Sequence, residues 1–217
     1  HQADRKGVIV IKRLMSAGML ILSLISLLIL TGCIKSDIEN TGLLAGTHLR
    51  QDNEVLFYLN REANDVTETA VRDTFRRWGE ATHFNFIYAG RNRAGLRKDR
   101  KNTVSFLLNW PSDIPPGKVA YCMNWFDRKG NIIESDIILN MSLAKFTTLY
   151  TNTADSYYIE GVLAHEIGHL IGLGHIDSQG SLMKKLSPMS ESYFLGRIDA
   201  ETMRLYTSLY PEKTSKR

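Results

Sequence analysis

The sequence predicts an α+β domain, and three observations point to it. Five short runs rich in β-branched and aromatic residues lie between Glu54 and Asn140, separated by turn residues. Three further stretches have helical spacing: residues 65–82, a segment starting at Asp155 or Ser156, and residues 199–209. With 217 residues, 43% hydrophobic and 23% charged, the chain suits one domain with appendages and can bury a core. The formal charge of +4 is concentrated at the start, where Arg5, Lys6, Lys12 and Arg13 face only Asp4. The rest is nearly balanced, so no nucleic-acid partner is expected.

Residues 1–33 read as a targeting segment. Lys12 and Arg13 precede an apolar run, Leu14 to Leu30, and Leu30-Thr31-Gly32-Cys33 follows. At roughly 17 residues the run is at the short limit for a membrane helix, so a cleaved signal is favoured. Residues 34–53 are polar and without period, a tether or short pro-segment. The domain is expected over 54–211, and 212–217 form a polar tail.

Within the domain, Glu54 to Leu59 reads as a strand. Asp65 or Thr67 can cap the next helix, which puts Val71, Phe75 and Trp78 on one face toward the core. Phe84 to Tyr88 alternates as a strand. Arg91 to Lys101 is strongly cationic, either a solvated loop or a contact for anionic lipid or an acidic partner. Thr103 to Leu108 is a strand, followed by a Pro-rich loop. Lys118–Phe126 and Asn131–Asn140 read as a hairpin closed by Asp127-Arg128-Lys129-Gly130. Cys122 within it reads as a buried, unreactive thiol. Pro188 to Gly196 reads as loop, and Asp199 caps the last helix.

The chemistry concentrates in residues 165–175, which read H-E-x-x-H-x-x-G-x-x-H and hold three of the six histidines. Residues four apart share a helix face, so His165 and His169 can aim imidazoles at one ion. Glu166 stands about 100° round the helix, placed for a general base rather than a ligand. Gly172 can take the positive φ that ends a helix and lets His175 return as third ligand. Three protein ligands leave a fourth position open, the arrangement of a catalytic zinc.

These residues resemble the matrixin-type metzincins, and among them bacterial matrixin-like lipoproteins. The likeness rests on the histidine motif and on Ser181-Leu182-Met183, which matches the Met-turn. Two further stretches contribute: V-R-D-T-F-R-R-W-G-E-A-T-H-F-N-F at 71–86 and S-D-I-I-L-N at 135–140. It implies a twisted five-stranded mixed sheet with three helices, and a zinc cleft between a large N-terminal and a small C-terminal part. It implies a zinc endopeptidase acting on protein or peptide substrates, with His165, His169 and His175 holding one zinc ion and Glu166 as base. Met183 would be a packing floor, and Ile137, Ile138, Leu139 and Asn140 an edge strand along which substrate lies. Leu-Thr-Gly-Cys resembles a lipoprotein box, so Cys33 is expected to be acylated and to anchor a monomer to the bacterial envelope, at the outer membrane where there is one. No Pro-Arg-Cys-Gly latency motif precedes the domain, and Lys184-Lys185-Leu186 replaces the Pro-x-Tyr common after the Met-turn. Outside the motif and residue 1 only His48 and His83 remain, so a second, structural zinc is not expected. The alternative is a zinc-containing binding module that does not cut; the intact Glu166 argues against it.

Overall fold

The computed structural model describes residues 49–150, 155–185 and 197–211. The signal segment with Cys33, residues 34–48 of the tether, Leu186, the loop Pro188–Gly196 and the tail 212–217 lie outside them.

The five predicted runs form one sheet: β1 (Glu54–Asn60), β2 (Asn85–Asn92), β3 (Asn102–Leu107), β4 (Ala120–Phe126) and β5 (Ile132–Asn140). Their order is β2-β1-β3-β5-β4, parallel throughout except that β4 runs antiparallel to β5. This is the expected mixed sheet, and β4–β5 is the expected hairpin. Three helices accompany it among the described residues: α1 (Asp65–Ala81), α2 (Ile159–Leu170) and α3 (Ala200–Leu209).

The order of strands corrects one expectation. Ile137–Asn140 are not an edge: β5 lies between β3 and β4, and all four residues are buried. Both faces of β5 are covered, which is why its sequence lacks a clean alternation. The α1–α2 core packs on one face. The crossover between β2 and β3 lies over the other, where Asp136 and Glu134 accept backbone N–H groups of Arg97, Asp99 and Arg100. The free edge on this side of the sheet is β4.

Helix starts also differ in detail. The cap of α1 is Asn64, in extended backbone, whose side chain accepts from Thr67 N at 2.9 Å. Asp65 and Thr67 are therefore inside the helix. Asp155 and Ser156 do not begin α2, because Tyr157–Tyr158 first form a short strand, β7, paired in parallel with β6 (Phe146–Thr147). Backbone pairing fixes those residues before the helix can start.

Val71, Phe75 and Trp78 of α1 are fully buried, as their spacing predicts, against Val162, Leu163 and Ile167 of α2. The Trp78 indole N–H donates to Ala164 O at 2.9 Å, and Arg77 pairs with Glu160 at 2.5 Å. Apolar burial sets the distance between the helices, and these two polar contacts set their register.

Residues 49–53, read from sequence as the end of the tether, belong to the fold. Arg50 bridges to Ile132 and is only 3% exposed. Its guanidinium donates to Leu170 O at 3.2 Å, Asn102 Oδ1 at 3.0 Å and Ser135 Oγ at 2.7 Å. A buried cation thus meets the negative end of α2, where carbonyls lack helical partners. Arg50→Ala is expected to destabilise the fold by about 2–3 kcal/mol, since charged hydrogen bonds are lost and buried acceptors left bare. Arg50→Lys should recover only part of this, because an ammonium lacks the planar fork. Denaturant midpoints of the three proteins measure it, and unchanged midpoints would remove Arg50 from this role.

Candidate metal centre

Helix α2 carries His165, Glu166 and His169 on buried turns, and its end explains how His175 joins them. Gly172 has φ +96°, Gly172 N bonds to His169 O, and Leu173 N bonds to Gly168 O, both at 2.9 Å. This is a Schellman stop, in which a residue in left-handed conformation closes the helix. A side chain at Gly172 would be strained there. The chain then reverses, and Ile176 N reaches Met183 O at 2.9 Å.

The reversal brings three imidazole nitrogens together. His169 Nε2 lies 3.0 Å from His165 Nε2 and 3.2 Å from His175 Nε2, and the last pair is 3.2 Å apart. Among the described residues this is the one group of three such side chains placed to hold a metal ion. Nitrogens at about 2.0–2.1 Å from one tetrahedral ion would lie roughly 3.3 Å apart, so the triangle fits zinc. His165 Nδ1 sits 2.7 Å from Leu182 O and His169 Nδ1 2.7 Å from Leu173 O. A carbonyl can only accept, so each Nδ1 carries the proton and each Nε2 presents its lone pair inward. Burial lowers the pKa of His165 to about 4 and holds His169 well below the usual imidazole range, so both are neutral near pH 7.

Glu166 stands beside the triangle, 5% exposed. Burial pushes its carboxyl up to about 8, while the positive charge of Lys118 and the backbone N–H of Cys122 favour the anion. A cation held by the imidazoles would lower it further. Cys122 and Lys118 come from the edge strand and its approach. Asn124 of the same strand donates to His169 O at 2.9 Å, pinning β4 against α2. Cys122 packs against the core but is half-buried, where a buried residue is expected from sequence; the burial of its thiol still raises it well above the ordinary value.

Met183 lies beneath α2, fully buried. Gly168 is the reason it fits: a Cβ there would overlap Met183 Sδ, approach its Cε to 2.9 Å and come within 3.5 Å of Trp78 Cζ2. The turn carrying Met183 is fixed from α3. Asp199 caps that helix through Glu201 N and Thr202 N, as expected, and its other oxygen accepts Leu182 N at 2.6 Å. Leu182 O in turn orients His165. Asp199 therefore acts at two places, and only the cap was readable from sequence.

The matrixin family model matches residues 51–210, starting one residue past the buried Arg50. The chain belongs to the matrixin family. A search of curated proteins finds no match. Matrixins use zinc, and this matrixin domain brings together the three histidines that its motif singled out. It does not bring Ile137–Asn140 to an open edge. Lys118 was missed, because a lysine ahead of a strand carries no spacing signal.

Purified protein is expected to hold about one zinc per chain by elemental analysis, since one three-histidine site is formed. A value near two would contradict that. Gly168→Ala should push Met183 out of its place, costing about 1–3 kcal/mol of stability through overpacking. Its zinc retention under a chelator should fall too. Wild-type stability and retention in that variant would show that the close contact does not matter.

Proposed function

We propose that this domain is a zinc-dependent endopeptidase. The observation that carries the reading is the triangle of three inward-facing imidazole nitrogens with a buried carboxylate beside it on the same helix. His165, His169 and His175 would hold a zinc ion, which would supply a Lewis acid to the scissile carbonyl and to the attacking water. Glu166 accepts that water's proton and delivers it to the leaving amine. Its carboxylate is oriented for this by the Cys122 N–H; burial raises its proton affinity, and a cation held by the imidazoles would return it to the anion that accepts a proton. Substrate lies extended along β4, which has a neighbouring strand on one side only, and pairs with it through backbone hydrogen bonds. Lys118, two residues ahead of that strand, supplies positive charge beside Glu166.

The chain is anchored to the bacterial envelope through acylation of Cys33. The support is the apolar run ending in Leu-Thr-Gly-Cys, where buried methylenes hold at about 0.8 kcal/mol each. Among the described residues no helix is long and apolar enough to cross a membrane.

Glu166→Ala and Glu166→Gln should keep zinc and fold and lose about 10²–10⁴-fold in cleavage of a mixed peptide library. His169→Ala should lose metal and activity together. Undiminished cleavage after Glu166→Ala would sink the mechanism, and a wild type that never cleaves would favour a binding module.

Anchoring is tested separately. Cys33→Ser should move the protein from the membrane to the soluble fraction. Persistent membrane association of that variant would point to an uncleaved apolar segment instead.

A further inference from the structure

We propose that the β2–β3 crossover, residues 93–101, and the β4–β5 turn beside it form a docking surface for anionic phospholipid headgroups. The proposal rests on the reading that Cys33 is acylated, and adds a second contact to it.

The crossover carries Arg93, Arg97, Lys98, Arg100 and Lys101 against Asp99 alone. Such a run is usually a solvated loop, but here its backbone is fixed from below. Glu134, fully buried, accepts Asp99 N and Arg100 N at 2.7 Å each. Asp136, also buried, accepts Arg97 N at 3.0 Å and Thr103 N at 2.8 Å. Arg100 is held at φ +64°, a conformation that persists for a non-glycine residue only where its surroundings dictate it. The buried carboxylates thus serve the backbone and leave the cationic side chains outside. Arg93, Arg97, Lys98 and Arg100 are exposed, and among the described residues only Arg97 of these four has an ion pair, with Asp99 at 3.1 Å.

The position of this surface supplies the second argument. Glu134 is two residues from Ile132, whose N–H bonds to Leu49 O at 3.1 Å, so the Asp99–Arg100 end of the crossover is held beside the point where the chain from Cys33 joins the fold. The exposed Arg128 and Lys129 of the β4–β5 turn lie at the same end of β5. Asp127 in that turn is occupied by Lys129 N and by Asn131. The exposed acids nearby are Asp52 and Glu54, fewer than the cations. Residues 34–48 can span at most about 50 Å, so an acylated Cys33 keeps this end within reach of the bilayer. Each cation near an anionic membrane strengthens binding by about fivefold, and stable anchoring draws on two signals rather than one.

The test reconstitutes the full chain into nanodiscs of phosphatidylcholine, with or without phosphatidylglycerol, and labels lysines with an amine reagent that does not cross membranes. Lys98 should be protected severalfold in the phosphatidylglycerol discs at low salt, and exposed again at about 1 M salt, where the screening length falls to about 3 Å. Lys145, beyond the far end of β5, is the reference. A variant with Arg93→Glu, Lys98→Glu and Arg100→Glu should show no lipid-dependent protection of Lys101, and its exposed positions leave the fold intact. Equal Lys98 labelling in both discs overturns the proposal, as does protection that appears only when an acidic protein or nucleic acid is added. Failure of the anchor itself would instead show as Cys33→Ser leaving localisation unchanged, a separate readout.

Discussion

Three imidazole lone pairs within 3.0–3.2 Å of one another are an unfavourable arrangement without a cation between them. The surrounding structure is organised to maintain it. Each ring on α2 is fixed by an Nδ1–H to a backbone carbonyl, and each of those carbonyls is fixed in turn. Leu173 O follows the Schellman stop at Gly172. Leu182 O hangs on Asp199, the cap of α3. Burial keeps His165 and His169 unprotonated, so the nitrogens stay available to a metal rather than to protons.

The end of α2 shows how that arrangement is tied to the rest of the molecule. His169 O, Leu170 O and Ile171 O project from the helix terminus. They are met by Asn124 of β4, Arg50 of the incoming chain and the Tyr210 hydroxyl beyond α3. Tyr210 also accepts Arg50 N at 2.9 Å, so three distant parts of the chain converge on one helix end. A cation rather than a neutral donor at that place complements the helix dipole, and its burial is tolerated because its guanidinium N–H groups meet several acceptors.

Much of the fold was legible where a local pattern meets a local physical demand. Val71, Phe75 and Trp78 repeat at helical spacing because one face must be buried. The Asp-Arg-Lys-Gly turn announced the β4–β5 hairpin. The exact caps were less legible: Asn64 competes with Asp65 and Thr67 as an N-terminal acceptor, and only the backbone geometry decides among them. Arg50 looked like tether, because a single arginine in a polar stretch gives no sign that several acceptors await it.

The sequence alone determined the candidate metal-binding set, since residue type and spacing on one helix, with a glycine to stop it, suffice to bring His165, His169 and His175 together. It also determined that Glu166 stands beside them. Only the tertiary structure decided which strand is the edge. Strand order depends on pairing between segments far apart in the chain, and Ile137–Asn140, expected from the resemblance to be an edge, lie inside the sheet because β4 folds back outside them. It likewise decided the fate of the acidic residues Glu134 and Asp136, whose partners are backbone groups of a loop more than thirty residues away. Spacing encodes neighbours along a helix, whereas long-range hydrogen bonds are fixed by packing.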